Sequence, residues 1–136
     1  KVWIVYDVGK AINPQMVKGQ IEGGVVQGLG GALLEEFKYD QSGQLISGSF
    51  IDYLLPTAAE TPILISKRIE RSNSPLNPLK VKGSGECGIA GIGGALANAV
   101  ANALGDFDDQ INSLPITPEK IWQTLYANST TNPSNN

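Results

Sequence analysis

The sequence contains no histidine and only one cysteine, Cys87. Those shortages exclude a disulfide framework, a Cys/His zinc site, a cysteine-ligated iron–sulfur cluster and any histidine-based catalytic triad. No residue stands out as a metal ligand, so a metal is expected only if a cofactor carries it. Long apolar runs are missing too: none approaches the roughly 18 residues of a membrane-spanning helix, and no charged-then-apolar leader opens the chain. Basic runs are absent, and 13 acids against 10 bases leave a net charge of −3. Electrostatic capture of nucleic acid or of an anionic membrane is therefore not expected, whereas small molecules and protein partners fit. These absences predict a soluble chain in a reducing compartment, the cytoplasm.

What is present is enough for one globular domain with a modest core, since 41% of the 136 residues are hydrophobic and 17% are charged. Val2 to Asp7 reads as a buried strand with no cap or turn before it, so the chain is expected to begin inside a larger unit. Asn13-Pro14 is an N-cap followed by proline at the first helical position. Val17, Ile21, Val25, Leu29 and Leu33 then recur at a spacing of four and predict a helix, despite glycines at 19, 23, 24, 28, 30 and 31. Each interior glycine costs about 1 kcal/mol relative to alanine. Another backbone or a ligand is expected against the glycine face, on which Gln20 also lies. An exposed helix position with no ligand is the plainer reading of Gln20.

Further along, Glu35–Asp40 and Gln44–Leu54 read as the strands of a hairpin around Asp40-Gln41-Ser42-Gly43, and Ile63–Glu70 as a further strand. The prolines of Asn73-Ser74-Pro75-Leu76-Asn77-Pro78 make an ordered connection. It leads into Lys82-Gly83-Ser84-Gly85-Glu86-Cys87-Gly88, where glycines let a backbone approach a ligand and Glu86 is the only acid. Ile89, Ile92, Leu96, Val100 and Leu104 predict that a helix follows this loop directly, with Gly105 as its cap. Asp106 to Ser113 reads as loop or short strand, and Thr117-Pro118 starts a last helix. Residues 1–127 are expected to form the folded unit and 128–136 a disordered tail. Asn128-Ser129-Thr130 matches a glycosylation acceptor, but without a secretory signal its use is not expected. The sum is a mixed α+β unit: strands, a glycine-rich helix, a hairpin and two further helices.

Gly83-x-Gly85-x-x-Gly88 formally matches the dinucleotide fingerprint. The acid required some 20 residues later would have to be Asp106 or Asp108, after the helix instead of at the end of a second strand. A glycine-rich turn with Glu86 beside a helix N-terminus is the structural alternative.

Several separated strings together resemble one family: Asp7-Val8-Gly9, Ile12-Asn13-Pro14, Gly19-Gln20-Ile21-Glu22-Gly23-Gly24, Gln27-Gly28-Leu29-Gly30, Asp52-Tyr53 with Pro56, Ser74-Pro75-Leu76-Asn77-Pro78 and Lys82-Gly83-Ser84-Gly85-Glu86. The chain resembles the C-terminal part of the molybdenum-binding subunit of the xanthine dehydrogenase and aldehyde oxidase family, the molybdenum hydroxylases, over roughly residues 1 to 126. The resemblance implies part of a larger molybdopterin-binding domain and a molybdenum-pterin cofactor, in mononucleotide or dinucleotide form. It implies oxidative hydroxylation of an aldehyde or N-heterocycle with oxygen from water. It assigns the catalytic base to Glu86 and cofactor contacts to Gln20, Ser84 and Gly85. It also implies partners: the remainder of the molybdenum subunit, and iron–sulfur and flavin groups on other chains or domains. Alone, the chain is not expected to turn over substrate. Lys80, where family members often carry glycine, and Cys87, where another small residue is common, depart from the pattern. A non-catalytic remnant of the same fold and an independent nucleotide-binding module are the two competing expectations.

Overall fold

The computed structural model describes residues 1–105 and 111–131. Five elements follow in order: strand β1 (Val2–Asp7), helix α1 (Pro14–Leu33), strand β2 (Leu64–Ile69), helix α2 (Ile92–Leu104) and helix α3 (Pro118–Thr131). They belong to two compact units. The first takes Lys1–Gly28 and Pro56–Ile92, and the second takes Leu29–Leu55 and the described residues from Gly93 onward.

In the first unit β1 and β2 pair in parallel, in register from Val2 opposite Leu64 to Asp7 opposite Ile69. Parallel partners need a long crossover, which α1 and the chain after it supply. The register fixes which face looks inward: Leu64 and Ser66 are half-buried, while Ile63 and Ile65 are exposed. On the half-buried face the Ser66 hydroxyl donates to Glu22 Oε1 of α1 at 2.7 Å.

Helix α1 starts where the cap predicts. Asn13 Oδ1 accepts from Met16 N–H at 3.1 Å, and the Asn13 carbonyl accepts from Val17 N–H at 3.0 Å. Ile21 and Val25 are buried in the first unit with Val8, Ala11, Cys87 and Ile92.

In the second unit Leu29, Ala32 and Ile116 form the buried apolar set. Ile116 N–H donates to the Ala32 carbonyl at 2.6 Å. The predicted hairpin is present as a turn and one bridge, Tyr39 opposite Leu45, instead of two long strands. Asp40 Oδ1 accepts from the Ser42 and Gln44 amides at 2.8 and 2.9 Å, which tightens the turn. Beyond it, the buried Ser47 hydroxyl accepts from Lys38 N–H at 2.8 Å, a side-chain bond where a ladder would need a backbone carbonyl.

Gly105 closes α2 with a φ of 60°, as a glycine cap requires. Thr117 caps α3 through its hydroxyl, which accepts from Lys120 N–H at 3.2 Å. Helix α3 runs on to Thr131, so the tail expected from Asn128 is helical as far as that residue. The loop expected at 106–110 and the last residues, 132–136, lie outside the described residues. No helix among the described residues is long and apolar enough to cross a membrane.

Candidate functional site

The site is organised by a backbone-to-backbone contact between α1 and the glycine loop. A Cβ on Gly88 would overlap the Ile21 carbonyl and come within 2.7 Å of Val25 N. A Cβ on Gly24 would meet Gly88 Cα at 2.9 Å. Gly28 is equally closed, its missing Cβ falling on the Ile92 side chain. The helix glycines at 24 and 28 therefore admit the loop, whereas Gly19, Gly23 and Gly31 meet nothing within 4 Å. Gly83 and Gly85, by contrast, face open space.

The loop does not feed directly into α2. Residues 85–91 are a run of turns and the helix begins only at Ile92, so Glu86 lies outside its first turn. Seating Gly88 on the α1 backbone and Ile89 and Ile92 against Gly28 uses the stretch in which periodicity predicted helix. Cys87 is buried beneath this turn, its thiol directed at the Ser84 carbonyl at 3.1 Å, and burial pushes its pKa up. It packs as a small residue.

Before the loop, the segment 80–82 runs antiparallel to residues 8–10. Lys82 N–H donates to the Val8 carbonyl at 3.0 Å and Lys10 N–H to the Lys80 carbonyl at 2.9 Å. Gly9 and Lys80 face each other here at φ values of 63° and 61°. A left-handed backbone favours glycine, so Lys80 holds a conformation that its side chain strains. Asn77 braces the same turn by exchanging two hydrogen bonds with the Val81 backbone, each 3.1 Å. Asp7, at the end of β1, accepts from the Ser72 hydroxyl at 2.7 Å, from Gly9 N–H at 3.0 Å and from Lys82 Nζ at 3.3 Å. Led by the Ser72 bond, these contacts hold its carboxyl well below the usual carboxylate range.

Between this brace and the start of α1 lies a cleft of about 310 Å³. Its apolar walls are Val8, Ile12, Met16, Val17 and Val81, and its polar groups are Lys10, Asn13, Gln20, Lys82 and Ser84. Two of the four predicted site residues, Gln20 and Ser84, thus come together, from α1 and from the loop. Gly85 and Glu86 do not line the cleft; both are exposed beside it in sequence. Among the described residues the Glu86 carboxylate makes no hydrogen bond or ion pair. Sequence reasoning missed Lys10, Asn13 and Lys82 as cleft residues. Asn13 had been given no role beyond a cap and a place in the Ile12-Asn13-Pro14 string, and the antiparallel pairing that brings Lys10 to Lys82 carries no periodic signal.

Residues 1–62 match the family model described as molybdopterin cofactor-binding domain. The chain is 47% identical, over 116 residues, to the gamma subunit of the 6-hydroxypseudooxynicotine dehydrogenase complex of Paenarthrobacter nicotinovorans. That alignment covers 85% of this chain and 14% of the relative.

The chain belongs to the molybdopterin-binding family of the molybdenum hydroxylases.

It is also 45% identical over 121 residues to the nicotine 6-hydroxylase large subunit of the same organism, covering 89% of the chain and 15% of that relative. Among solved structures, quinoline 2-oxidoreductase from Pseudomonas putida 86 superposes with a TM-score of 0.84 at 40% identity, covering 91% of this chain and 16% of that one. The chain thus spans about one seventh of the curated relatives it matches. The cleft's chemistry suits the family's cofactor: an apolar trough would accept a flat ring system, and an amide and a hydroxyl line the same cleft to hydrogen-bond its polar groups. Two lysines and no carboxylate line the trough, so a phosphate is electrostatically acceptable.

Proposed function

We propose that this chain forms part of the molybdenum subunit of a hydroxylase that oxidises an N-heterocycle with oxygen taken from water. The single observation that carries the reading is the meeting of Gln20 and Ser84 in one cleft, held by the contact of Gly24 with Gly88. Gln20 presents an amide that both donates and accepts, and Ser84 a hydroxyl that does the same. Together they would orient the polar edge of the molybdenum-pterin group. When bound, that group supplies the two-electron oxidation.

Glu86 is the general base. Its exposed carboxylate, unengaged among the described residues, has both oxygens available to take a proton from the attacking water. The turn at residues 85–91 and the buried Cys87 fix the backbone that carries it. An N-heterocycle is favoured over an aldehyde as substrate because nicotine and quinoline name the relatives cited above. The remainder of the molybdenum subunit would close the site, and iron–sulfur and flavin groups on partner chains or domains would remove the electrons.

Glu86→Gln in the assembled enzyme tests the assignment. Molybdenum content should match wild type while turnover of N-heterocycles falls by about 100-fold or more, the usual contribution of a positioned base. Turnover near wild type would remove Glu86 from the mechanism.

A further inference from the structure

We infer that Lys10 is the residue that holds the anionic, phosphate-bearing part of the cofactor in the cleft. This rests on the proposal that Gln20 and Ser84 bind the cofactor there. Two cations, Lys10 and Lys82, line the cleft, and no carboxylate does. Their situations differ. Lys82 Nζ is 3.3 Å from Asp7 Oδ2 and also bonded to the Ser72 hydroxyl, so its charge is spent on the brace. Lys10 makes no ion pair among the described residues.

The acidic group that feels Lys10 is Glu70, whose carboxyl is held below its ordinary value first by the Ala11 N–H and next by Arg68. Glu70 Oε2 accepts from Ala11 N–H at 3.2 Å and Oε1 from Arg68 Nε at 3.2 Å, so both its oxygens are engaged without Lys10. The start of α1 lines the same cleft through Asn13, Met16 and Val17, and no acid stands in its first turn. The helix dipole therefore adds to the Lys10 charge without opposition. In a chain of net charge −3, this cation-lined trough runs against the overall balance. Its apolar walls take the ring, and Lys10 answers the phosphate by a charge-assisted hydrogen bond.

The backbone N–H of Lys10 already pairs with Lys80, so changing the side chain leaves the brace in place. Lys10→Gln and Lys10→Arg in the assembled enzyme, dialysed at rising salt, are compared with wild type for molybdenum and pterin per assembly. Lys10→Gln should lose cofactor about tenfold faster than wild type, the lower end for a bond to a charged group. Lys10→Arg should retain it, and wild-type loss should accelerate with salt. Should Lys10→Gln fail to assemble, Lys10→Met takes its place and should show the same faster loss. A loaded wild type whose retention ignores both salt and Lys10→Gln overturns the role of Lys10 only. A wild type without molybdenum or pterin overturns the underlying cofactor reading as well.

Discussion

Adjacent residues of α1 should respond oppositely to the same substitution. Gly24→Ala would put a methyl group 2.9 Å from Gly88 Cα, 3.0 Å from Gly88 N and 3.1 Å from Ile89 N. All three obstacles are backbone, so no side chain can turn aside, and the loop must lift from the helix. Overpacking of this kind reaches about 3 kcal/mol. Alanine's better helix propensity offsets about 1 kcal/mol of it, leaving a net loss near 2 kcal/mol. Gly23→Ala keeps the propensity gain and meets nothing within 4 Å. Hydrogen–deuterium exchange on the purified protein reads both effects locally. Amides of residues 86–92 should exchange about 30-fold faster in Gly24→Ala, at about 1.4 kcal/mol per factor of ten. Those of α1 should exchange about fivefold slower in Gly23→Ala, by the same conversion. Equal shifts in the two variants would refute the claim that the glycine contact holds the loop.

Other outcomes follow from the brace. Asp7 has a folded-state pKa below its unfolded value, so its contribution is complete above about pH 4 and shrinks as the pH falls below that. Asp7→Asn should therefore be less stable than wild type at neutral pH, with the gap in thermal midpoint closing in acid; a gap independent of pH would refute the carboxylate's role. Lys80→Gly removes a side chain from a backbone at φ 61°. Relief of about 1–2 kcal/mol less glycine's own entropic cost should leave the variant about 0.5–1 kcal/mol more stable in urea unfolding; a destabilised variant would contradict that accounting.

The positions of the first strand and first helix were legible because their signals are local, although Val2–Asp7, expected as a buried strand, leaves Trp3 and Val5 exposed. Val2–Asp7 alternates in burial, and Asn13-Pro14 starts α1 where a cap and an N1 proline should. Even the need for something close against the helix glycines could be stated in advance, though backbone and ligand stayed equally open until Gly88 was found there. Less legible was anything decided by distant partners. Ile89 fits the helical period, yet seating it and Gly88 on α1 delays α2 to Ile92. The strand expected over Ile63–Glu70 is present as Leu64–Ile69, but which of its faces is covered depends on what packs there, and Ile63 and Ile65 are exposed. Gln20 and Ser84, singled out through resemblance, both line the cleft. Lys10 was not singled out, because only the pairing of residues 8–10 with 80–82 turns a strand-end lysine into a wall of the cleft.

The central claim is that this chain is part of a cofactor cradle. Metal and pterin analysis of the native protein, purified with whatever accompanies it, tests that most directly. Molybdenum and pterin in a fixed ratio to this chain, released when Gln20→Ala and Ser84→Ala are combined, is the predicted result. An intact native assembly devoid of both would contradict it and leave a structural remnant of the same fold.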